Sequence, residues 1–398
     1  EMLRSLVGSE MCIRDRNKLF LIITVISALL LTTGCDLFIK TNKGQVDQKW
    51  YMGLTYEDDN GNDTDYTIGT DGTIAAVALE DGYGDEFGII KGEEAYLNIN
   101  TIIKNIDKRF YVDATNNLVM FTDATKTYKT KIGGKTINET ENTDYVISFM
   151  DGKNCYVNVK FVKKYVDFDY KVVKAEGKSP ARIVLKYTSG EKNQMTVKSN
   201  IEMRTKADYQ NLIVTTLKKN TKVTVLEESG DWTKVRTDDG FMGYVPAKKL
   251  KDKETKKTEF KSDADTYTHV LMNKKISLGW NAITNLTANG NLETIIEHTK
   301  GLNVISPTWY SLSDNKGNLR SYASATYVEK AHSKGLKVWA LVNDFGTQDK
   351  ASKEYTKKVL TDTTKRENLV DNIMTNIKDY NLDGINIDFE FINKDIIN

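Results

Sequence analysis

The sequence has almost no surplus charge, since 56 Lys and Arg stand against 55 Asp and Glu in 398 residues. No basic excess points to nucleic acid as a partner, and no acidic excess points to a solvating tail. Hydrophobic residues make up 39% of the chain, which is enough for roughly two to four ordinary domains. The chain is therefore not a disordered protein, and its function must come from local sites.

The N-terminal region lacks an apolar run long enough to cross a bilayer. The run Leu19–Leu31 is too short for a membrane-spanning helix but suits the core of a signal peptide. The following Gly34-Cys35 resembles a bacterial lipobox, which implies lipidation at Cys35, export, and anchoring to the outer face of the cytoplasmic membrane. An uncleaved anchor or an ordinary secretory signal are the alternatives. Residues 17–35 are thus predicted to be a lipoprotein signal peptide, and residues 1–16 a non-native leader that resembles translated sequencing-adapter sequence.

Cysteine and histidine are rare, with three residues of each type. Cys12 lies in the predicted leader, and lipidation of Cys35 leaves only Cys155, so no intramolecular disulfide framework is expected. Cys155 lies in an alternating strand pattern that favours a buried structural thiol. The histidines show no metal-ligand spacing, and we predict neither a metal site nor a cofactor.

Residues 36–90 are polar and turn-rich, which predicts a polar spacer or a small β region. Residues 91–190 contain a degenerate repeat, in which Tyr96–Ile99 recurs as Tyr156–Val159. Each copy predicts a strand, a helix of about two turns, and one or two further strands. The pattern resembles the copper amine oxidase N-terminal-like stalk repeats of bacterial surface proteins. Because residues 91–190 contain no histidine, copper is not implied, and we predict a spacer or a wall-contact module.

Closely spaced short strands follow over residues 196–250. Three turn sequences, Asn220-Thr221, Gly230–Trp232 and Gly243–Val245, resemble those of a bacterial SH3 domain, which implies a small all-β barrel. This resemblance makes a cell-wall peptide a candidate partner, and we expect the barrel to fold independently. The charged residues after it predict a solvated linker over 251–267.

From about residue 268 onward, strands and helices alternate. The candidate strands are Ile276–Trp280, Val304–Tyr310, Lys337–Asn343 and Gly384–Glu390, with helical patterns over 292–299, 322–333 and 365–379. Continuous apolar strands with helical crossovers indicate a parallel sheet buried on both faces. Such a sheet is the first half of a barrel or a doubly wound fold.

The stretch Asp383–Glu390 (DGINIDFE) concentrates the candidate chemistry. On a strand, Asn386, Asp388 and Glu390 share one face, and the three apolar side chains between them share the other. In a parallel barrel the apolar row packs against the helices, and the polar row projects inward. Glu390 would then lie at the C-terminal rim of the barrel, where such enzymes have their active sites.

DGINIDFE resembles the D-G-x-D-x-D-x-E signature of glycoside hydrolase family 18, the chitinase family, and falls on the fourth candidate strand as it does in that family. The resemblance extends to the branch of spore-cortex and peptidoglycan N-acetylglucosaminidases. It implies retaining, substrate-assisted hydrolysis with Glu390 as general acid and Asp388 holding the substrate's acetamido group. Asp383, the third acid of the motif's catalytic set, is expected to orient the start of the strand, and Asn386 stands where the general pattern has Asp.

Three aromatic residues near candidate strand ends, Trp280, Trp309 and Tyr310, could stack on sugar rings or pack in the core. The implied partner is a GlcNAc-containing polysaccharide, in peptidoglycan or a chitin-like glycan. The alternative is a glycan-binding envelope lipoprotein without turnover.

The predicted fold class is multidomain: α+β stalk repeats, an SH3-like barrel, and the first half of an α/β (β/α)8 TIM barrel over residues 268–398. A complete barrel of this class needs about 250 residues. We therefore expect the chain to be a fragment of a longer gene product and to be inactive without the remainder.

Overall fold

The computed structural model describes residues 41–69, 71–124, 126–261, 272–345, 350–392 and 394. The predicted leader and signal peptide, including Cys35, lie outside the described residues. Within those residues, no helix combines the length and the apolar character that a membrane crossing needs.

Residues 48–186 form an α+β unit with three sheets. Its elements are α1 (Gln48–Tyr51), β1 (Thr55–Glu57), β2 (Asp63–Asp65), β3 (Thr73–Ala78), β4 (Gly88–Lys91), β5 (Glu94–Asn98), α2 (Ile99–Asn105), β6 (Phe110–Asp113), β7 (Leu118–Thr122), β8 (Thr127–Lys131), β9 (Thr136–Ile137), β10 (Glu141–Asn142), β11 (Ser148–Asp151), β12 (Asn154–Asn158), α3 (Val159–Tyr165), β13 (Asp169–Val173) and β14 (Ala181–Lys186). The larger of the two main sheets has the order β11-β12-β5-β4-β3-β14-β13, the smaller has the order β10-β9-β8-β7-β6, and β1 and β2 form a separate two-stranded sheet. Because β3 and β4 lie inside the larger sheet, region 36–90 contributes a small β region and is not only a spacer.

The two repeat copies pair with each other. Strands β5 and β12 are antiparallel, with Leu97 opposite Val157, and Tyr96 of one copy lies opposite Asn158 of the other. Each strand leads directly into a helix whose first turn is capped in the same way, since Asn98 and Asn158 each accept a hydrogen bond from the backbone N–H two residues later. The predicted order of strand, helix and strands is therefore present in both copies. The two copies share one hydrophobic core, so they form a single folded body.

Residues 190–258 form a seven-stranded all-β sheet of the order β17-β16-β20-β19-β18-β15-β21. Its elements are β15 (Gly190–Val197), β16 (Ile201–Arg204), β17 (Ile213–Leu217), β18 (Lys222–Ser229), β19 (Trp232–Thr237), β20 (Met242–Pro246), a 3-10 helix (Ala247–Lys249) and β21 (Leu250–Thr258). Gly230 has a φ of 59° in the two-residue turn that pairs Ser229 with Trp232. Glycine adopts this backbone conformation readily, which explains the turn that the sequence indicated.

The first part of the predicted linker is a strand. β21 pairs with β15 from Leu250 opposite Val197 to Thr258 opposite Gly190, with one irregularity. Its side chains beyond Leu250 are almost all exposed, as the charged sequence indicated. The prediction of a structureless linker was nevertheless wrong for residues 251–258, because side-chain charge does not prevent the backbone of a solvated strand from pairing with a free sheet edge.

The SH3-like sheet and the α+β unit are packed together. Val197, Met203 and Val235 of the former lie in the same buried cluster as Ile89 and Tyr156 of the latter. This shared core argues against independent folding of the SH3-like barrel, which stays a prediction.

Arginine side chains join the same two bodies. The guanidinium of Arg236 donates hydrogen bonds to the backbone carbonyls of Leu79 and Leu185, and that of Arg182 donates to the carbonyl of Asp239 at 2.6 Å. Both arginines are almost completely buried. These hydrogen bonds satisfy buried polar groups on both sides of the contact.

The last part of the chain contains a six-stranded sheet in which all pairs but one are parallel. Its elements are β22 (Leu278–Asn281), a 3-10 helix (Leu286–Asn291), α4 (Leu292–Glu297), β23 (Val304–Pro307), β24 (Tyr310–Leu312), β25 (Leu319–Ser321), α5 (Ala325–Ser333), β26 (Lys337–Asn343), α6 (Lys350–Leu360), α7 (Thr363–Asp379) and β27 (Gly384–Asp388). β22 pairs with β23, β23 with β26, and β26 with β27, and each pair is parallel. The predicted parallel sheet with helical crossovers is present. The described residues do not form a closed barrel, and the half TIM barrel stays a prediction.

The start of α7 contacts the α+β unit. The backbone N–H of Thr363 donates to the carboxylate of Asp113 at 2.7 Å, and the Asn116 amide donates to the carboxylate of Asp362 at 3.1 Å. Lys129 forms an ion pair with Glu367. Because α7 leads into β27, this contact supports the element that precedes the candidate site.

Candidate functional site

The sheet that holds β27 packs one of its faces against helices. On β26, Val338, Ala340 and Val342 belong to the cluster that packs with the helices. Asn386 lies opposite Leu341 and Asp388 opposite Asn343 in the parallel register, so all four side chains lie on the other face. The structure thus places Asn386 and Asp388 on one side of the sheet, away from the helices, as their spacing predicted.

The apolar row of β27 behaves as predicted except at one position. Ile385 and Phe389 pack against the helix-side cluster, whereas the Ile387 side chain is 53% exposed. Within the described residues, β27 pairs only with β26, so one edge of the strand has no neighbour there. A side chain on such an edge strand has neighbouring strands on one side only, so it is more exposed to solvent.

Glu390 is exposed and lies two residues past the end of β27. Its backbone N–H donates a hydrogen bond of 2.9 Å to Oδ1 of Asp344, and the N–H of Phe391 donates one of 3.0 Å to Oδ2. The Thr356 hydroxyl on α6 donates to the same Oδ2 at 2.9 Å. Asp344 itself is completely buried. The sequence analysis missed this residue, although an acid that directly follows a candidate strand was a signal for it.

Two buried polar atoms on this face of the sheet lack hydrogen-bond partners among the described residues. They are the amide oxygen of Asn343, which lies opposite Asp388, and the hydroxyl oxygen of Ser306 on β23. Ser306 lies opposite Trp280 in the register of β22 and β23. A buried polar group without a partner is uncommon in a folded protein.

Asp383 lies at the opposite end of β27 from Glu390. Its carboxylate accepts hydrogen bonds from His332 Nε2 at 2.8 Å, Lys337 Nζ at 2.6 Å and the Val338 N–H at 2.9 Å. Burial raises the pKa of Asp383, but the bonds from Lys337, Val338 and His332 outweigh it, and the pKa is lowered below 3.8. The five residues of β27, about 17 Å of strand, lie between Asp383 and Glu390. This geometry agrees with an orienting role at the start of the strand.

The three candidate sugar-binding aromatics have different environments. Trp280 is 70% exposed and lies on the same face as Ser306. Trp309 and Tyr310 are buried in the helix-side cluster, where the Trp309 indole N–H donates to the Asn289 side chain at 2.8 Å. For Trp309 and Tyr310 the core alternative holds, because neither presents a ring to a ligand.

A one-residue irregularity explains where Tyr310 points. Ile305 lies opposite Val338, but Tyr310 lies opposite Val342, so five residue steps on one strand match four on the other. An extra residue of this kind moves the following side chain to the other face. Without it, Tyr310 would share the open face with Ser306.

Two further residues named in the sequence analysis lie in surroundings that suit a structural role. Cys155 is buried, and burial raises its thiol pKa to about 12, which makes it unreactive at neutral pH. Trp232 is partly buried and meets Tyr209 edge to face, with ring centroids 4.8 Å apart. Neither residue adds a reactive group to the site on β27.

Comparison with known families identifies the all-β segment. Residues 199–251 match the model of the bacterial SH3 domain, which confirms the prediction for 196–250 within a few residues. The comparison with curated proteins found no match.

Several solved structures resemble part of the chain. They include the C-terminal domain of a candidate chitinase from Desulfitobacterium hafniense (26% identity, TM-score 0.25, covering 30% of this chain and 34% of that one). A chitinase from Bacteroides thetaiotaomicron has 21% identity and a TM-score of 0.25, covering 30% and 37%, and one from Chromobacterium violaceum has 15% and 0.24, covering 29% and 35%. The chain spans about a third of the length of these proteins. TM-scores of this size carry no functional argument by themselves.

Proposed function

We propose that the protein is a glycoside hydrolase that cleaves β-1,4 bonds next to N-acetylglucosamine, in peptidoglycan or a chitin-like glycan. One observation carries this proposal. Asp388 lies on the face of a parallel sheet opposite the helix-side cluster, and the exposed Glu390 follows just past the C-terminal end of the same strand. The motif that contains both acids resembles the family 18 signature.

The four strands support a barrel rather than a doubly wound sheet. Each new parallel strand is added to the same edge, in the order β22, β23, β26, β27. A doubly wound sheet reverses its strand order at a switch point, whereas a barrel keeps adding strands in one direction. In a barrel, the face with Asn386 and Asp388 is the inner face, and Glu390 lies at its C-terminal rim.

The proposed mechanism assigns one step to each acid. Glu390 donates its proton to the glycosidic oxygen, and the acetamido carbonyl oxygen of the substrate attacks the anomeric carbon as the leaving alcohol departs. Asp388 accepts a hydrogen bond from the acetamido N–H and holds the group in position. Water then attacks the same carbon of the oxazolinium intermediate and gives a proton back to Glu390, so the anomeric configuration is retained.

Other polar and aromatic groups on the same face would hold the sugar. Asn386 shares the face with Asp388, and its side-chain amide can donate to and accept from sugar hydroxyl groups. The exposed ring of Trp280 can stack on a pyranose face. These groups are polar contacts and one apolar platform, which is the composition that sugar recognition needs.

The test is Glu390→Gln in the full-length gene product, with the exposed Glu297→Gln as matched control. The amide keeps shape and hydrogen bonding but has no proton to release. We expect hydrolysis of β-1,4-GlcNAc oligomers to fall by about 10²- to 10⁴-fold while binding persists, and the control to match the wild type. Full activity of Glu390→Gln would contradict the assignment.

A second candidate is glycan binding without turnover, which the 70% exposure of Trp280 favours. A lectin needs a stacking platform and polar contacts but no general acid. Wild-type protein that binds GlcNAc oligomers and releases no reducing ends would support this function over hydrolysis.

We also propose that the chain is exported and is anchored through lipidated Cys35 to the outer face of the cytoplasmic membrane. The lipobox-like Gly34-Cys35 after an apolar run supports this proposal. The SH3 domain would then contact cell-wall peptide. Labelling with a lipid precursor tests the anchor, since a wild-type product that takes up no label would contradict it.

A further inference from the structure

We propose that Asp344 is a positioning residue that sets the direction of the Glu390 side chain. This inference rests on the proposed function of Glu390. The motif DGINIDFE does not include Asp344. This residue directly follows the preceding strand, β26, and is 46 residues from Glu390 in sequence.

The regular strand pairing ends just before Glu390. The last paired residues of β26 and β27 are Asn343 and Asp388. Past this pair, the backbone N–H groups of Glu390 and Phe391 donate to the two carboxylate oxygens of Asp344 instead, at 2.9 and 3.0 Å. A side chain therefore continues the attachment between the two strands where the backbone ladder stops.

The two hydrogen bonds also fix the local backbone conformation. In an extended strand, successive N–H groups point in opposite directions, so one carboxylate cannot accept from both. Consecutive N–H groups converge on one anion only where the chain leaves the extended conformation. The Asp344 carboxylate thus holds the turn at Glu390, and this turn determines where the acid side chain points.

Asp344 is itself firmly held. Its side chain is completely buried, and a buried carboxylate is tolerated only where donors surround it. The hydroxyl of Thr356 on α6 supplies a third donor at 2.9 Å. A general acid misplaced by about 1 Å can cost about 10²-fold in rate, so rigidity at this point has a direct effect on catalysis.

The decisive variant is Asp344→Asn in the full-length gene product. Asparagine offers one acceptor oxygen and one NH2 donor, so one of the two N–H groups loses its acceptor. We expect kcat to fall by about 10²-fold with KM within about twofold, and amide hydrogen exchange at residues 390 and 391 to accelerate. Asp371→Asn, which removes an exposed carboxylate from α7, is the matched control and should change neither quantity.

Thr356→Val separates positioning from a general loss of structure. It removes a hydrogen bond to the same buried carboxylate but leaves both N–H bonds, so we expect kcat within about threefold of wild type and unchanged exchange at residues 390 and 391. An equal loss of kcat in both variants would contradict the inference. Unchanged exchange or unchanged kcat in Asp344→Asn would also contradict it.

The inference and the proposed function can fail separately. Full-length wild-type protein without hydrolytic activity would contradict the proposed function. In that case, the amide hydrogen exchange rates of Glu390 and Phe391 in Asp344→Asn would by themselves show whether Asp344 holds this turn. If Asp344→Asn does not fold, Thr356→Val still tests the assigned hydrogen bonds. Faster amide hydrogen exchange at residues 390 and 391 in that variant would contradict them.

Discussion

Asp388 and Glu390 lie two residues apart, yet their surroundings differ. Asp388 is partly buried beside Asn343, whereas Glu390 is exposed beyond the last strand pair. A residue that holds a substrate group needs fixed neighbours, and a residue that delivers a proton to a large glycan needs access. The two environments therefore agree with the two proposed tasks.

The role of Asp388 predicts an effect that depends on the substrate. Asp388→Asn should lower hydrolysis more strongly for substrates with a 2-acetamido group than for matched substrates without it, because the proposed hydrogen bond goes to that group. The measurement is kcat/KM for the two substrate types, with Asp371→Asn as control. An equal loss on both types would argue against acetamido positioning. A thiazoline mimic of the oxazolinium intermediate should inhibit the wild type competitively.

At the scale of elements, α7 depends on a residue from another part of the chain. Asp362 caps the helix by accepting the N–H of Lys365, and Asp113 at the end of β6 accepts the N–H of Thr363. Burial raises the pKa of Asp113, but hydrogen bonds from Thr363 and Asn116 outweigh it and lower the pKa to about 2. Carboxylates at a helix N-terminus stabilise the helix.

Asp113→Ala should therefore loosen the start of α7. Loss of a carboxylate cap typically costs about 0.5–2 kcal/mol, so we expect faster amide exchange at residues 363–366, with the exposed Asp144→Ala unchanged. A folded pKa below the unfolded one means that this stabilisation is present above the unfolded pKa of 3.8 and is lost as the pH falls toward about 2. Identical exchange in both variants would show that the contact does not support α7.

The sequence predicted which helices and strands form better than it predicted the tertiary contacts between them. The two-residue alternation of DGINIDFE correctly placed Asn386 and Asp388 on one face, because a strand has a fixed period. The same rule cannot place Tyr310, since the extra residue between Ile305 and Tyr310 leaves no mark in the pattern. Asp344 was missed for a related reason, because its partners are backbone N–H groups distant in sequence. Helix α6 was missed because most of its residues are polar.

At the scale of the whole molecule, the described modules pack against one another and share hydrophobic cores. The predicted spacer supplies strands to the α+β sheet, the two repeats share one core, and the SH3 domain completes a second core with that sheet. The contact of Asp113 with α7 links the α+β unit to the candidate catalytic part. Modules packed in this way can hold the candidate site on β27 at a defined distance from the other modules, which a flexible spacer cannot do.

The shared core makes a prediction about folding units. Residues 196–251 alone would lose the neighbours that the α+β unit supplies to this shared cluster, such as Ile89 and Tyr156, and exposing a buried apolar side chain costs about 1.5–3 kcal/mol. We therefore expect no cooperative thermal transition from this segment, whereas residues 41–261, which include the partner sheet, should melt cooperatively. Circular dichroism during heating compares the two. A cooperative melt of the short segment would show that the SH3 domain is stable without the α+β sheet and that the contact is only a docking surface.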